Sequence, residues 1–369
     1  MIPLPRVLYR TYRREEIARH ELLYLFFEIT RRCNLSCLHC GSDCQKSDSG
    51  RELTAESWIR IAQDVVRNFG TKPFIVISGG EPLVHRELLK IGRALRDLGL
   101  RWGMVSNAYT WHDGLLEKLC NAGLRSITFS LDGPEDCHRW LRGQERSFPQ
   151  VLRALDDCRS FNERSPGQLV WDVVTCVHQQ NLQRLDETAE ILLGHGVPRW
   201  RVFRIFPAGR AKTEERLALD RRESAALLEW IAQRRPALRR RGLSLTASCE
   251  GWFPPALESR IREQHSFCRS GINFAAILAD GSICGCNNNH PSFHQGNILT
   301  DSFPQLWREG FKPHRERSWL ADSACGTCTH LADCAGGPLH LWGDTREEPL
   351  FCYHRDLPNM RSAADKTQT

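Results

Sequence analysis

Cys33, Cys37 and Cys40 fall in one short run, Thr30-Arg-Arg-Cys-Asn-Leu-Ser-Cys-Leu-His-Cys-Gly41, with the spacing C-x3-C-x2-C. A 4Fe-4S cluster takes one ligand per iron, usually a cysteine thiolate. Three thiolates therefore leave one iron open, and an open iron binds and activates a further molecule. The loop is a candidate catalytic centre. A zinc knuckle or three unrelated thiols are the competing readings.

The elements around this loop must position it. Residues 22–30, apolar and aromatic, read as a buried strand that ends at the cysteines. Further strands are expected at 73–78, 101–106, 126–131, 169–177 and 199–206. Helices are expected at 54–69, with Thr54 as cap, and at 87–98, 114–121, 148–161 and 182–193. Six strand–helix units in register imply parallel strands with right-handed crossovers. Polar and glycine-rich motifs follow the strands: Gly79-Gly80-Glu81-Pro82, Ser106-Asn107, Asp132-Gly133-Pro134 and Pro207-Ala-Gly209-Arg210. Ligand sites in such folds lie at the strands' C-terminal ends, so these motifs and the cysteine loop are expected on one face.

The 369 residues are enough for two or three domains. Hydrophobic content of 41% and charged content of 25% fit an ordinary globular protein, and a net charge of +6 without a basic–aromatic stripe argues against nucleic acid. No apolar run is long enough to span a bilayer, and the N-terminus lacks a signal-like apolar region. A cytoplasmic protein is the expectation. Sixteen cysteines are then anomalous, because a reducing cytosol disfavours structural disulfides. Clustered thiols there point to metal.

Composition divides the chain into a basic N-terminal arm (1–20), the strand–helix region (21–212), a charged helical linker (213–243), a cysteine-dense region (244–357) and a tail (358–369). The arm reads as a solvated helix, with a surface for an acidic partner as the alternative. The cysteine-dense region is rich in loops and turns, so metal is expected to hold it together.

The C-x3-C-x2-C loop after the first strand resembles the signature of the radical SAM superfamily. That resemblance implies an α/β fold, a partial (β/α)6 TIM-like barrel. It implies that SAM chelates the open iron and that one electron from the cluster cleaves it, giving a 5′-deoxyadenosyl radical that abstracts hydrogen. Gly79-Gly80-Glu81-Pro82 is similar to the family's SAM-amine motif: the glycines let backbone approach a ligand and Glu81 accepts bonds from an ammonium. Ser106-Asn107, Ser130 and Asp132 match positions contacting the SAM methionine or ribose. Arg142 resembles an arginine near the SAM carboxylate, and His39 an aromatic position near the adenine. Capping and turn roles are the bland alternatives for these single residues.

The C-terminal part resembles the loop-rich SPASM extension of peptide maturases, which implies auxiliary clusters. Cys268 and Gly281-Ser-Ile-Cys-Gly-Cys286 fit its opening element; Cys325, Cys328, Cys334 and Cys352 fit its closing element and complete one auxiliary cluster. A further cysteine is expected four residues after Cys334, where Pro338 stands. The other auxiliary cluster is assigned Cys268, Cys286 and Cys249, with Cys284 as rival, and a fourth position that is open or held by His340. Zinc is the competing occupant. Cys44, Cys120, Cys137, Cys158 and Cys176 read as spare thiols. No general base can be picked out; Asp280 is the nearest candidate, with a turn role as the alternative.

The resemblance therefore implies three 4Fe-4S clusters, SAM, a flavodoxin- or ferredoxin-type electron donor, and a peptide or small-protein substrate. The phrasing around Cys33 and Cys268 is similar to a maturase subgroup paired with a small lipoprotein. The alternatives are a small-molecule substrate, a non-catalytic iron–sulfur electron carrier, or a zinc-binding module.

Overall fold

A computed structural model describes residues 6–47, 50–263 and 266–357. The expected tail, 358–369, and the first five residues of the expected arm lie outside the described residues.

The described residues form one ten-stranded sheet. Its centre is β1 (Tyr24–Glu28), β2 (Phe74–Ser78), β3 (Trp102–Ser106), β4 (Leu124–Ser130), β5 (Val170–Val177), β6 (Arg199–Arg204) and β7 (Ser244–Ala247), all parallel and in sequential order. Sequential parallel strands with right-handed crossovers place every crossover helix on the same face. That face is covered by α2 (Ala55–Phe69), α3 (Leu88–Asp97), α4 (Leu115–Asn121), α6 (Ser147–Arg164), α8 (Leu185–Gly194) and α9 (Arg221–Arg240). α5 (Glu135–Arg142) and α7 (Gln179–Leu182) are short pieces at the strands' C-terminal ends, and α1 (Arg6–Arg19) precedes the sheet.

The alternation along each strand records the two faces. Leu25 and Phe27, Ile75 and Ile77, Trp171 and Val173, and Trp200 and Val202 are buried beneath the helices. Their neighbours Phe26, Val76, Val105, Val174 and Phe203 are only half-buried. They line the bare, inner face, which we call the lumen. Thr54 caps α2 as expected, accepting from the Ser57 amide at 3.2 Å.

Three features differ from the composition-based reading. First, 213–243 is no linker. It holds α9, the crossover between β6 and β7, whose Leu227, Leu228 and Ile231 are buried and whose Trp230 meets Trp200 edge-on at 5.7 Å. The many arginines on its outer side mask that apolar stripe. Second, the cysteine-dense region shares the sheet. β8 (Phe274–Ile277) pairs parallel with β1, and β9 (Ser282–Cys284) and β10 (Gly296–Asn297) continue antiparallel from it. Third, α1 is docked rather than solvated. Arg10 pairs with buried Asp333 at 2.6 Å, Arg13 donates to the carbonyls of Ala332 and Asp333, and Arg269 pairs with Glu16 at 2.6 Å. α1 thus braces the turn that carries Cys334.

The glycine pair after β2 does more for the chain than for a ligand. Gly80 donates to the Thr30 carbonyl at 2.8 Å and Glu81 to the Arg32 carbonyl at 3.0 Å. A Cβ on Gly79 would sit 2.3 Å from the Thr30 carbonyl oxygen, and one on Gly80 2.3 Å from that of Arg32. The glycines are required so that the turn can press against the start of the cysteine loop. Gly80→Ala is expected to push this loop away, at a cost of roughly 1–3 kcal/mol. Thermal melting and iron content of the reconstituted protein should both fall. Gly194→Ala, where an added Cβ meets nothing within 4 Å, should leave both unchanged.

Candidate metal centre

The cysteine loop is held at the C-terminal ends of the strands from several sides. The turn after β2 supports its start. α5 takes the Leu38 amide through the Leu141 carbonyl at 3.0 Å. The segment after β6 straps it: the Arg210 amide donates to the Cys40 carbonyl at 3.0 Å, and the Arg210 side chain donates to the carbonyls of Cys37 and Cys44, each at 2.8 Å.

Within this frame the three thiols lie near one another. Burial pushes the Cys33 thiol up to about 11, and the nearby Cys37 and Cys40 sulfurs push the same way. Burial also raises Cys37. Two N–H donors point at sulfur: Arg142 Nη1 reaches Cys37 Sγ at 3.6 Å, and Asn107 Nδ2 reaches Cys33 Sγ at 3.8 Å. Cys44, expected to be a spare thiol, hydrogen-bonds Cys40 and lowers its pKa. Buried thiols that oppose each other's ionisation, surrounded by donors to sulfur, gain from a cationic centre. This donor set fits a cluster held by three thiolates.

The other motif residues form the wall beside it. Glu81 is buried, and its carboxylate accepts from the Leu83 amide at 3.0 Å, Ser106 Oγ at 2.9 Å and the Asn107 amide at 2.7 Å. Burial pushes its carboxyl up to about 7, against those hydrogen bonds. Pro82 opens the short turn Pro82–Val84 that Glu81 caps. Asn107 also donates to Asn34 Oδ1 at 2.9 Å. Asp132 is fully buried. It accepts from Arg142 Nε at 2.7 Å and from the Cys176 amide at 2.9 Å. Burial opposes its charge, but Arg142 holds its carboxyl down at about 2. His39 joins it: donor atoms of His39, Asp132 and Cys176 lie within 4.8 Å of one another. Burial pushes the His39 imidazole down to about 3. Ser130 ends β4 beside Val174 and is half-buried. His39 Nδ1 and Ser78 Oγ are buried without a hydrogen-bond partner among the described residues. A polar ligand such as SAM would satisfy such groups.

Two more thiol groups lie in the C-terminal region. Cys268 lies close enough to Cys249 to raise it, and both raise Cys286, which burial already pushes up to about 12. Cys284 is fully buried, is raised by burial, the Cys286 sulfur and Glu28, and donates to the Cys286 carbonyl at 3.3 Å. His340 lies against Phe206, with ring centroids 4.5 Å apart, facing Glu250 and Arg204. Pro338 Cδ lies 4.0 Å from where a Gly251 Cβ would be, so the position expected to hold a cysteine packs against the segment after β7. Cys325, Cys328, Cys334 and Cys352 form the other group, raising the pKa of Cys325 and Cys334 together with burial. Asp280 accepts from the Ser282 amide at 2.9 Å in a turn.

Sequence reasoning missed the polar residues of the lumen. Glu28 pairs in register with Ser78 on one side, and Thr128 with Asp172 on the other. Burial pushes the Glu28 carboxyl up to about 7. Thr128 Oγ1 donates to Asp172 at 2.6 Å, Arg201 Nε donates to Asp172, and Arg201 Nη2 donates to Thr128 at 3.0 Å. The signal was present: charged residues at inner positions of otherwise apolar strands, as in Val170-Trp-Asp172-Val and Arg199-Trp-Arg201-Val. Cys176, taken as spare, lies on this inner face beside Asp132.

Comparison with known proteins agrees with this geometry. Residues 27–192 match the family model of the radical SAM superfamily, and residues 268–329 match an iron–sulfur cluster-binding domain, SPASM. The chain is 26% identical over 349 residues to the AdoMet-dependent heme synthase of Methanosarcina barkeri, covering 89% of this chain and 95% of that one. It is 27% identical over 322 residues to the mycofactocin maturase MftC of Mycobacterium ulcerans, covering 85% and 82%. Streptococcus suis SuiB shares the fold with a TM-score of 0.65 at 17% identity, over 88% of this chain and 75% of that one. By these matches the chain carries a radical SAM domain over residues 27–192 and a SPASM-type iron–sulfur domain over residues 268–329.

Proposed function

We propose that this enzyme cleaves SAM reductively and modifies a peptide or small protein by hydrogen abstraction. The observation that carries the reading is the convergence of three thiols, with N–H donors aimed at two of them, where the parallel strands open onto the lumen. Cys33, Cys37 and Cys40 would hold a 4Fe-4S cluster. Bound there, the cluster supplies the electron that splits SAM into methionine and a 5′-deoxyadenosyl radical. The chain's own part is placement and protection. Asp132 and Arg142 fix the wall beside His39. Glu81 locks the turn after β2 to the end of β3. The apolar inner residues keep water from a reactive radical.

Cys325, Cys328, Cys334 and Cys352 would hold one auxiliary cluster, and Cys249, Cys268 and Cys286 another with one position not filled by cysteine. These would accept the electron left after hydrogen abstraction or hold the substrate, and a flavodoxin- or ferredoxin-type donor would supply the electron that reduces the SAM-binding cluster. The peptide reading is supported by the named maturase relative and by the solved complex of SuiB with its precursor peptide SuiA. A small-molecule substrate is the second reading, supported by relatives named heme synthase and Fe-coproporphyrin III synthase.

Under anaerobic conditions with dithionite, the enzyme is expected to convert SAM to 5′-deoxyadenosine. Chromatography should show none from Cys33→Ala, while Cys325→Ala keeps uncoupled cleavage. Cleavage by Cys33→Ala would sink the assignment.

Iron counting checks the auxiliary sites. Two or three 4Fe-4S clusters correspond to about eight to twelve irons per chain. Cys249→Ala should lower iron, whereas Cys284→Ala should not. The reverse pattern, or zinc in place of iron, would overturn this ligand assignment.

A further inference from the structure

The geometry points to a carboxylate-binding site in the lumen, built on Arg201. We infer that Arg201 receives a carboxylate of the substrate and holds that substrate between the SAM-side loop and the Cys249 thiol group. The inference rests on the proposed function, because it takes the lumen to be where the substrate sits.

Arg201 lies on the inner face of β6, between Trp200 and Val202, which are buried on the opposite face. Two of its three nitrogens are fixed. Nε donates to Asp172 on β5, and Nη2 donates to Thr128 on β4 at 3.0 Å. Thr128 in turn donates to Asp172 at 2.6 Å. Three adjacent strands thus set the plane of one guanidinium. Nη1 donates to no group among the described residues, and the side chain is 36% exposed against 14% for Asp172. A guanidinium oriented this way offers its remaining N–H groups in a fixed direction, the property that makes arginine a carboxylate receptor.

A purely structural role accounts for less. An ion pair in this setting adds little stability over apolar residues of similar size. Beside it on the same inner face stand half-buried apolar Val174, its register partner, and Phe203, two residues along β6. An oriented cation flanked by Val174 and Phe203 suits a ligand that pairs a carboxylate with apolar surface.

Its height in the lumen fits the chemistry. Arg201 pairs in register with Val174, two residues before Cys176. At about 3.3 Å per residue, that is about 7 Å below the level of Cys176 and Asp132. On its other side Arg201 is close enough to Cys249 to favour that thiolate. A ligand anchored here would reach from one thiol group toward the other.

Both substrate readings can supply the carboxylate: an acidic side chain or C-terminus of a peptide, or an acid group on a macrocycle. Equilibrium dialysis against the anaerobically reconstituted full chain distinguishes them. One pair of probes is coproporphyrin and its tetramethyl ester. The other is a glutamate-containing heptapeptide and its glutamine, C-terminally amidated counterpart. At least one acid form should bind the wild type, with its neutral partner bound at least about tenfold more weakly. Arg201→Gln should abolish that preference, and Arg201→Lys, which keeps the charge but not the fork, should restore part of it. Thr128→Val, which frees Nη2 without removing charge, should weaken the acid form less than Arg201→Gln. Equal binding of acid and neutral probes, unchanged binding by Arg201→Gln, or no binding of either acid form would overturn the inference. SAM cleavage under dithionite is measured in parallel on each variant. It should persist in Arg201→Gln, and its absence from the wild type would count against the proposed function instead.

Discussion

The cysteine loop has too little regular structure to satisfy its own backbone, and this constraint organises everything around it. Buried amides and carbonyls need partners. Those of Thr30, Arg32, Leu38 and Cys40 find them in the turn after β2, in α5 and in the segment after β6. Each of these segments carries a residue whose form follows from the contact. Gly79 and Gly80 lack a side chain because the loop's carbonyls occupy that space. Gly209 is in the same position, since its Cβ would sit 2.4 Å from the Cys40 carbonyl oxygen. The loop is therefore a keystone set by strand ends far apart in sequence, which is how so short a segment becomes rigid enough to hold three thiols together.

The electrostatics follow from the same burial. Carboxylates, an imidazole and thiols are gathered under the loop, and desolvation drives most of them toward their neutral forms. Asp132 and Cys40 are the exceptions, because Arg142 stands against the first and Cys44 hydrogen-bonds the second. Arg142 also reaches Cys37, so one guanidinium links the wall of the pocket to a sulfur of the loop. Farther down the lumen the pairing of Asp172 with Arg201 repeats the pattern on adjacent strands. The two pairs differ in accessibility: the first is sealed, the second partly open.

Much of this was legible in the sequence. The parallel strands and their helices follow from apolar runs alternating with helical periodicity, and the cysteine spacings identify the thiol groups directly. Cys249 and Cys284 could not be told apart in the sequence, because only the fold brings the loop after β7 near Cys268 and Cys286 while Cys284 closes β9 in the buried core. The linker reading of 213–243 failed because arginines dominate the composition of α9 while Leu227, Leu228 and Ile231 make its contact. The role of Gly79-Gly80 was visible as a need for close approach, but what approaches is backbone from residues 30–32. Arg201, Asp172 and Thr128 were invisible as a group, since each comes from a different strand and only the register joins them.

The central claim is that the first thiol group leaves one iron free for SAM. Electron paramagnetic resonance of the dithionite-reduced protein, recorded with and without SAM, tests it most directly. The expected result is one cluster signal whose g-values shift on adding SAM and which is missing from Cys33→Ala. Cluster signals that SAM leaves unchanged would contradict it.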